Sequence, residues 1–375
     1  MKKGILFLVA LAVLFITTYG NVSLHKSPLQ IGWAIGDDAS NTAVILHTKN
    51  GGRKWVVQGD KTKWEGYGGH DISAADKHTA WVALGSNTPD GSGRILHTTN
   101  GGATWTEQIL PEGVQGGIKG IKGLTRLEAW AVSIEGTVLH TTDGGEVWNI
   151  VDTGIETVQV NRMDAIGYRD VRDTDRSGKN TGKIHSNVWI ANEKGGEEYG
   201  MIHTLYNGDI WRQEKIPHLG FGTGGHMVSA YSARVVWAAV WADSHLYRTA
   251  DGGETWENVA EVGMNDIDDM CAYSADALWF VQFQGTLTGN GLIYHLRLED
   301  GEAQEFIPVE EYKYEGLTCV NDQAAMVVGY TDLPDPPQQR GIILVTNDGG
   351  QTWENQPLPV DDVSLWKVSF VGAYR

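Results

Sequence analysis

The sequence predicts an all-β fold, a seven-bladed β-propeller of four-stranded blades in which the C-terminal strand completes the first blade. Three observations predict it: a repeated turn motif, a set of short apolar strands before each copy, and unmatched strands at the two ends of the chain. The 375 residues include 48 glycines and 15 tryptophans, which is typical of many turns between aromatic-rich strands.

The turn motif, here called the box, has the form T-x-(D/N)-G-G-x-x-W. Its copies begin at Thr48, Thr98, Thr141, Thr249 and Thr346, with a degraded copy at Thr204. They recur at intervals of about 43 to 63 residues, and the last interval is about two repeats long, as expected if one copy near Phe306 has decayed. Spacings of this size mark propellers and solenoids.

The residue types of the box predict a tight turn between two strands. The acidic or amide side chain can accept hydrogen bonds from backbone amides, and the two glycines can adopt the positive φ that such a turn requires. No copy combines a nucleophile with a base, so the boxes are predicted to build the fold and not to react. The structural residues are Asn50, Asn100, Asp143, Asp251, Asp348, Trp55, Trp105, Trp148, Trp256 and Trp353.

Three further strands precede each box and complete a four-stranded unit. The strand entering the box reads ILH or similar, and its histidine position is occupied by Arg248 and Val345 in two units, which indicates packing and not ligation. The strand before it is centred on a tryptophan, and a short apolar inner strand lies upstream. The central residues of the second strands are Trp33, Trp81, Trp130, Trp189, Trp237, Trp279 and Met326.

The ends of the chain predict how the ring closes. The first unit lacks an inner strand, whereas Ser364 to Arg375 reads as an inner strand without the rest of its unit. Pairing between these two ends would leave no exposed sheet edge.

The pattern AW(A/V)…ILHTT(D/N)GGxTW resembles the BNR/Asp-box repeat proteins, most closely the photosystem II stability/assembly factor type. That resemblance covers nearly the whole chain after the amino terminus, and it implies an exported seven-bladed propeller without catalytic activity that holds a protein partner. Photosynthetic members of that type use an arginine-rich surface, whereas this chain has 29 Lys plus Arg against 47 Asp plus Glu. Sialidases and xyloglucanases also carry the box. A sialidase would need an arginine triad, an early Arg-Ile-Pro tripeptide and a Tyr/Glu pair, whereas the only similar tripeptide here, Lys215-Ile216-Pro217, lies in mid-chain and lacks the arginine.

Charge and the amino terminus limit the partners and the location. The net charge of -18 argues against nucleic acid and anionic membrane surfaces, which need a basic patch. Two lysines followed by an apolar run predict a signal peptide over residues 1–20 or an uncleaved anchor, ahead of a propeller over residues 28–375. The expected location is periplasmic, cell-surface or extracellular, with membrane contact only through that first segment.

Loop lengths predict the binding face. The loops after the second strand are long in several units, and they open on the face opposite the boxes. Trp64 and Trp241 also fall on that face and, with Tyr67, predict an exposed aromatic platform for a protein or a glycan. The alternative is that these rings only cover hydrophobic edges.

Alignment of the inner strands predicts a ring of equivalent side chains at the rim of the central channel. Its members are His70, Lys119, Asn161, His226, Asp268, Glu315 and Trp366. A metal held by His70 and His226 would need a third ligand, so a solvated polar rim is the other interpretation. A glycoside hydrolase would need two carboxylates about 5 to 10 Å apart, for which Asp268, Glu315 and Asp71 are the candidates.

An insertion in the fourth unit resembles the start of a calcium loop. Asp173, Asp175 and Ser177 precede Gly178, so alternate oxygens could converge on Ca²⁺, although Ile184 stands where a bidentate glutamate is expected. A flexible charged loop is the alternative. No other cofactor is expected.

The two cysteines, Cys271 and Cys319, lie on inner strands of neighbouring units with opposite strand parity. They can form a disulfide in an oxidising compartment if the strands bring their Cα atoms within about 7 Å. The sequence as a whole favours an exported, non-catalytic binding or assembly scaffold, with a secreted glycoside hydrolase as the alternative.

Overall fold

The computed structural model describes residues 29–86, 91–154, 160–169, 184–192, 200–205, 210–214, 216, 225–240, 245–263, 267–283, 290–309, 312–334 and 337–372. The predicted signal peptide lies outside these residues. Among the described residues, no helix has the length and apolar character needed to cross a membrane.

The described strands form seven antiparallel sheets of four strands, here called blades and numbered in chain order. Blade 1 contains β28 (Val363–Phe370), β1 (Gly32–Asp38), β2 (Ala43–Thr48) and β3 (Trp55–Gln58). Blade 2 contains β4 (Tyr67–Ala74), β5 (Ala80–Ser86), β6 (Gly93–Thr98) and β7 (Thr106–Glu107). Blade 3 contains β8 (Ile118–Gly123), β9 (Ala129–Ser133), β10 (Val138–Thr141) and β11 (Asn149–Val151). A single-turn 3₁₀ helix, Lys61–Trp64, connects blades 1 and 2.

The remaining four blades repeat the same order. Blade 4 contains β12 (Val160–Arg169), β13 (Ile184–Asn192), β14 (Gly200–Leu205) and β15 (Ile210–Glu214). Blade 5 contains β16 (Gly225–Ala230), β17 (Val236–Val240), β18 (His245–Thr249) and β19 (Glu257–Glu261). Blade 6 contains β20 (Ile267–Ala272), β21 (Ala277–Phe283), β22 (Gly291–Arg297) and β23 (Ala303–Phe306). Blade 7 contains β24 (Lys313–Cys319), β25 (Ala325–Pro334), β26 (Pro337–Thr346) and β27 (Glu354–Asn355).

The inner strands of the seven blades contact one another in a closed ring. The order is β28, β4, β8, β12, β16, β20, β24 and back to β28. The last strand of the chain closes it, because β28 pairs antiparallel with β1 and places Val368 opposite Ala34. The predicted all-β propeller and the predicted role of the C-terminal strand are therefore confirmed.

Every inner strand has a β-bulge, seen as a one-residue register shift against the second strand. In β4, for example, Gly69 and Asp71 pair with consecutive residues of β5, so that His70 is the extra residue. The extra residues are His70, Lys119, Asn161, His226, Asp268, Glu315 and Trp366. A bulge re-aims a side chain, and here it does so at one position in every blade.

At five of the seven junctions, side chains near the axis bond one inner strand to the next. The hydroxyl of Ser73 accepts a hydrogen bond from the Gly123 amide of blade 3 at 3.0 Å. Ser229 does the same for blade 6 and Ser369 for blade 2, both at 3.0 Å. Buried carboxylates accept equivalent bonds: Asp71 from the Ile121 amide, Asp164 from the Ala230 amide and Asp269 from the Leu317 amide. These bonds satisfy buried amides that the sheets leave free.

A disulfide joins blades 6 and 7 at the corresponding place. Cys271 of β20 is bonded to Cys319 of β24, with Cα atoms 5.9 Å apart. Both side chains are buried beside Trp279 and Leu317. The structure therefore brings together the two cysteines that strand parity placed face to face.

The five well-formed boxes share one hydrogen-bond pattern. In each, the threonine hydroxyl donates to the acidic or amide oxygen at 2.8–3.0 Å and accepts from the second glycine amide at 2.8–3.0 Å. Both glycines have positive φ, for instance 85° and 93° at Gly252 and Gly253. A hydrogen bond from Thr255 lowers the pKa of the Asp251 carboxyl to about 2. The Asp251 carboxylate therefore stays ionised and keeps its hydrogen bonds within the turn.

The box tryptophans join neighbouring blades. Trp148 of blade 3 packs edge-on against Trp81 of blade 2, with ring centroids 5.7 Å apart. The pairs Trp256 with Trp189 and Trp353 with Trp279 repeat this geometry. Such aromatic pairs contribute about 0.5–1.5 kcal/mol beyond the area they bury.

Histidines of the third strands stack on the second-strand tryptophans. His97 lies 3.5 Å from Trp81, centroid to centroid, and His47 and His295 stack on Trp33 and Trp279. Burial lowers the pKa of each of these three histidines to about 4. They are packing residues, as their positions in the repeats predict.

These stacked histidines predict acid lability. A histidine with a pKa of about 4 in the folded chain and 6.5 when exposed stays neutral in the native state between those values but is protonated after unfolding. Its contribution to stability is therefore full above pH 6.5 and declines as the pH falls toward 4, by about 1.4 kcal/mol per pH unit. Urea unfolding of His97→Phe, which keeps a stacked ring, should show a pH slope smaller by this amount. An unchanged slope would contradict this.

Closure by β28 predicts a sharp effect of truncation. Removing the residues from Val363 onward strips the inner strand from blade 1 and exposes the buried Ala34 and Leu46. We expect loss of the cooperative thermal transition by circular dichroism, whereas removing residues 373–375 leaves it in place. A cooperative transition in the longer truncation would show that β28 is dispensable.

Candidate partner-binding site at the rim of the central channel

The bulged residues lie toward one end of the channel. Each is the second, third or fourth residue of its inner strand, so all seven lie near the amino-terminal ends of those strands. That end belongs to the face that carries the loops after the second strands, opposite the boxes, because adjacent strands are antiparallel. The seven side chains are half-buried, and they are called the rim ring below.

The rim ring is chemically polarised. Blades 6, 7 and 1, which are consecutive, contribute Asp268, Glu315 and Trp366. Blades 2 to 5 contribute His70, Lys119, Asn161 and His226. The first three residues are called the acidic half, and the other four the basic half. The seven residues thus share one strand position, with the two carboxylates and the tryptophan on one side of the opening and the histidines, the lysine and the asparagine on the other.

Trp366 is fixed at the opening by Asp37, which lies near the end of the second strand of blade 1. The indole N–H donates to Asp37 Oδ2 at 2.8 Å, and the Gly69 amide donates to Oδ1 at 2.6 Å. Burial raises the pKa of the Asp37 carboxyl to about 6, against the opposing effect of these two hydrogen bonds. Trp366 also meets Tyr330 edge-on, with centroids 5.1 Å apart.

Three side chains in or next to the basic half of the ring form hydrogen bonds with backbone carbonyl oxygens. His70 Nδ1 lies 2.8 Å from the Ile118 carbonyl oxygen, and the Asn161 amide donates to the Gly225 oxygen at 3.0 Å. Arg162, the residue after Asn161, reaches from blade 4 to blade 6 and donates to the Asp268 carbonyl oxygen at 3.0 Å. The guanidinium therefore lies across the channel just behind the rim ring.

A cavity of about 510 Å³ continues along the axis toward the box face. Its charged lining residues are Asp71, Asp164, Asp269, Lys122, Arg162 and Lys367. Lys367 Nζ lies 2.6 Å from both Asp269 oxygens, and Lys122 Nζ lies 2.7 Å from Asp164. Positive and negative side chains are equal in number here, whereas the whole chain is strongly acidic.

Asp71 has a structural role, which bears on the glycoside hydrolase alternative. It is 6% exposed, and its two oxygens accept from the Ile72 and Ile121 amides at 2.8 and 2.9 Å. Burial raises the pKa of this carboxyl. Bonded in this way, Asp71 joins blades 2 and 3. Of the three carboxylates predicted as candidates for a glycoside hydrolase, Asp268 and Glu315 remain.

The exposed aromatic platform is wrong for Trp64. The connection between blades 1 and 2 forms the short 3₁₀ helix, capped by Asp60, and turns the Trp64 indole into the core. There the ring is 3% exposed and donates to the Ala43 carbonyl oxygen at 2.8 Å. The Tyr67 ring is covered by the Arg94 guanidinium at 3.9 Å. Trp241 lies outside the described residues.

The candidate calcium loop and the pair of rim histidines are the other predicted metal sites. Asp173, Asp175 and Ser177 of the candidate calcium loop lie outside the described residues, between β12 and β13. His70 and His226 belong to blades 2 and 5 and do not adjoin in the ring. In the described part of the chain, no group of three His, Cys, Asp or Glu side chains could hold a metal ion.

The alignment of the inner strands did not identify two residues of the site, Asp37 and Arg162. Asp37 lies at the end of a second strand, so an alignment of inner strands alone does not include it. Arg162 directly follows the bulged residue Asn161, and the alternation of a regular strand would have turned its side chain elsewhere. The signal that could have identified Asp37 was its place next to one of the long loops that follow the second strands, where binding residues tend to lie.

Comparisons with known proteins bear on the fold. No protein-family model and no curated protein sequence matches the chain. The structure is similar to that of YCF48 bound to D1 peptide, at 14% identity over 91% of this chain and 88% of the other, with a TM-score of 0.57. YCF48 from Cyanidioschyzon merolae gives 15% identity over 90% and 95%, with a TM-score of 0.54.

The structure of an enzyme is also similar. An ancestral GH74 enzyme matches at 12% identity over 77% of this chain, with a TM-score of 0.51, but this chain covers only 38% of that protein. At these identities the likeness establishes a shared propeller fold, which binding proteins and enzymes both use.

The bond between Trp366 and Asp37 gives a pH prediction. Because the pKa of Asp37 is about 6, acidification from about pH 7.5 to pH 5 protonates the carboxyl that accepts the indole N–H. The ¹⁵N resonance of the Trp366 indole, assigned with Trp366→Phe, should shift with a midpoint near pH 6. In Asp37→Asn this titration should be absent. A midpoint in the ordinary aspartate range would contradict the burial of the carboxyl.

Proposed function

We propose that the protein is an exported, non-catalytic binding or assembly scaffold that holds a protein partner on its long-loop face, at the rim ring. The observation that carries this proposal is the bulge in every inner strand. Each bulge costs regular pairing at one position, and all seven direct a side chain to the same opening. A repeated local defect that converges on one surface is typical of a functional site.

The chemistry of the rim ring supports recognition of a polypeptide. Trp366 supplies an amphipathic ring of the kind that anchors protein interfaces, and Asp268, Glu315 and Lys119 supply charge around it. The blades behind it are held by direct bonds between inner strands, so the ring is preorganised and loses little entropy on binding. A glycan is the second ligand class that such a surface fits.

The similarity to YCF48 bound to D1 peptide supports the choice of a peptide ligand. The analogous role for this chain is capture of a polypeptide segment during assembly of a larger complex. Photosystem binding as such does not follow, because the fold is the only property shared at 14% identity. The apolar amino-terminal run supports export, with action in the periplasm, at the cell surface or outside the cell.

The proposal is tested by capture of partners from the exported fraction of the producing cells. With Trp366→Ala, we expect the recovered partner to fall at least about tenfold, because a central aromatic anchor commonly contributes 2 kcal/mol or more. Lys119→Ala, on the other half of the ring, should also weaken capture. Quantitative mass spectrometry of the eluted proteins measures both effects.

The matched control is Leu127→Ala, which removes an apolar side chain that is 53% exposed on the box face. This variant should capture as much partner as the parent. Full capture by both rim variants, or loss with Leu127→Ala alone, would contradict binding at the rim ring. Release of sugar from polysaccharide by the parent but not by Asp268→Asn plus Glu315→Gln would instead support the glycoside hydrolase alternative.

A further inference from the structure

The cavity on the axis is a space of its own, separate from the rim ring. Arg162 belongs to its lining and lies across the channel just behind the ring. Gly167 and Gly372 also line it, and both are exposed where the inner strands reach the box face. The cavity volume of about 510 Å³ lies within the roughly 300–1,000 Å³ of sites that hold organic ligands. It is thus large enough for an organic molecule that enters from the box face.

Two of the three cations in the cavity are already paired. Lys122 Nζ lies 2.7 Å from Asp164, and Lys367 Nζ lies 2.6 Å from Asp269. Within the described part of the chain, the Arg162 guanidinium forms no ion pair. Its one hydrogen bond there runs from Nη2 to the Asp268 carbonyl oxygen at 3.0 Å, and that acceptor is neutral. Arg162 is therefore the cation of the cavity that lacks a bonded counter-ion.

Asp71, the remaining carboxylate, does not fill that role. Its two oxygens accept from the backbone amides of Ile72 and Ile121, and burial raises the pKa of the carboxyl. The charge of Arg162 opposes this rise from farther away than an ion pair. The guanidinium and the Asp71 carboxylate thus act on each other through space, without a bond that would use the N–H groups of Arg162.

The guanidinium has more donors than the chain has acceptors for them. Arginine carries five N–H groups, whereas Arg162 makes one hydrogen bond to the described residues, and its buried Nε has no acceptor among them. A charged donor left without an acceptor away from bulk water is costly. An oxygen-rich anion in the cavity would supply acceptors and a counter-charge together.

The rest of the lining limits which anion fits. A carboxylate matches the planar fork of a guanidinium. Asp71, Asp164 and Asp269 line the same cavity, so a second negative charge on the ligand would be repelled. Met163 and Met270 offer apolar surface to the rest of the molecule. Charge and lining therefore favour a single carboxylate on an apolar body over an inorganic dianion such as phosphate.

We propose that the axial cavity binds a small organic monocarboxylate, whose carboxylate accepts hydrogen bonds from the Arg162 guanidinium and whose body packs against Met163 and Met270. This site goes beyond the proposed function. It opens on the box face, opposite the long loops, and it needs no protein partner.

The test uses benzoate as the probe and the methionine methyl groups as reporters, by ¹³C-methyl NMR of the full chain at about pH 7.5. The chain has seven methionines. The Met163 and Met270 resonances, assigned with Met163→Leu and Met270→Leu, should shift saturably, with affinity in about the millimolar range for so small a ligand. Met326, in the core between blades 7 and 1, should not shift and reports an intact fold.

Variants of the arginine test which group holds the probe. Arg162→Gln should weaken benzoate binding at least about tenfold, because it removes a charge-assisted bond. Arg162→Lys keeps the charge but not the planar fork, and should weaken it at least about threefold. The matched control, Arg126→Gln, removes the same charge from an exposed position beside the box of blade 3 and should change the affinity less than about twofold.

Four results would overturn the proposal. They are the absence of a saturable shift at Met163 and Met270, equal affinity for the uncharged isostere benzamide, equal or tighter binding of phosphate, and unchanged benzoate affinity in Arg162→Lys. The last comparison decides the matter even if Arg162→Gln does not fold. Capture of a protein partner at the rim ring is tested separately by Trp366→Ala, so the two proposals fail on different observations.

Discussion

The fold depends on side chains near the axis that bond one inner strand to the next. A propeller blade buries its faces against its neighbours, but its inner strand has one edge that no strand of its own blade satisfies. Here the hydroxyls of Ser73, Ser229 and Ser369 and the carboxylates of Asp71, Asp164 and Asp269 accept the amides of the following blade. Where blade 6 meets blade 7, the Asp269 bond is kept, and the disulfide between Cys271 and Cys319 lies where the other junctions have a serine hydroxyl. These bonds thus join neighbouring blades near the axis.

The bulge in each inner strand links this rigid frame to a binding surface. The extra residue cannot pair, so its side chain is free of the alternation that governs the rest of the strand, and it is half-buried at the opening. The frame is uniform from blade to blade, whereas the bulged residues are not, and acidic and aromatic residues are segregated from His, Lys and Asn. Variation at one position of a constant scaffold is a route to specificity that leaves the core unaffected.

The sequence predicted the architecture well because its signals are local and repeated. The boxes fix turns by glycine and threonine chemistry, the second-strand tryptophans fix burial, and the unmatched ends fix closure. The rim position was also predicted, since an alignment of equivalent strands needs no knowledge of distances. The prediction for Trp64 failed because a loop position says nothing about which way a short helical turn rotates an indole. Asp37 was missed for a related reason: its role depends on a hydrogen bond to a residue from the opposite end of the chain.

Residue-resolved amide hydrogen exchange of the native protein tests the closed ring most directly. The amides of Ile121, Leu317 and Ala230, which donate to side chains of the preceding blade, should exchange among the slowest in the molecule, and those of β28 should match those of β4. The outer strands, which have one free edge, should exchange faster. Rapid exchange throughout β28, with protection retained in β4 and β8, would contradict closure by the C-terminal strand and the bonded axis on which the rim ring depends.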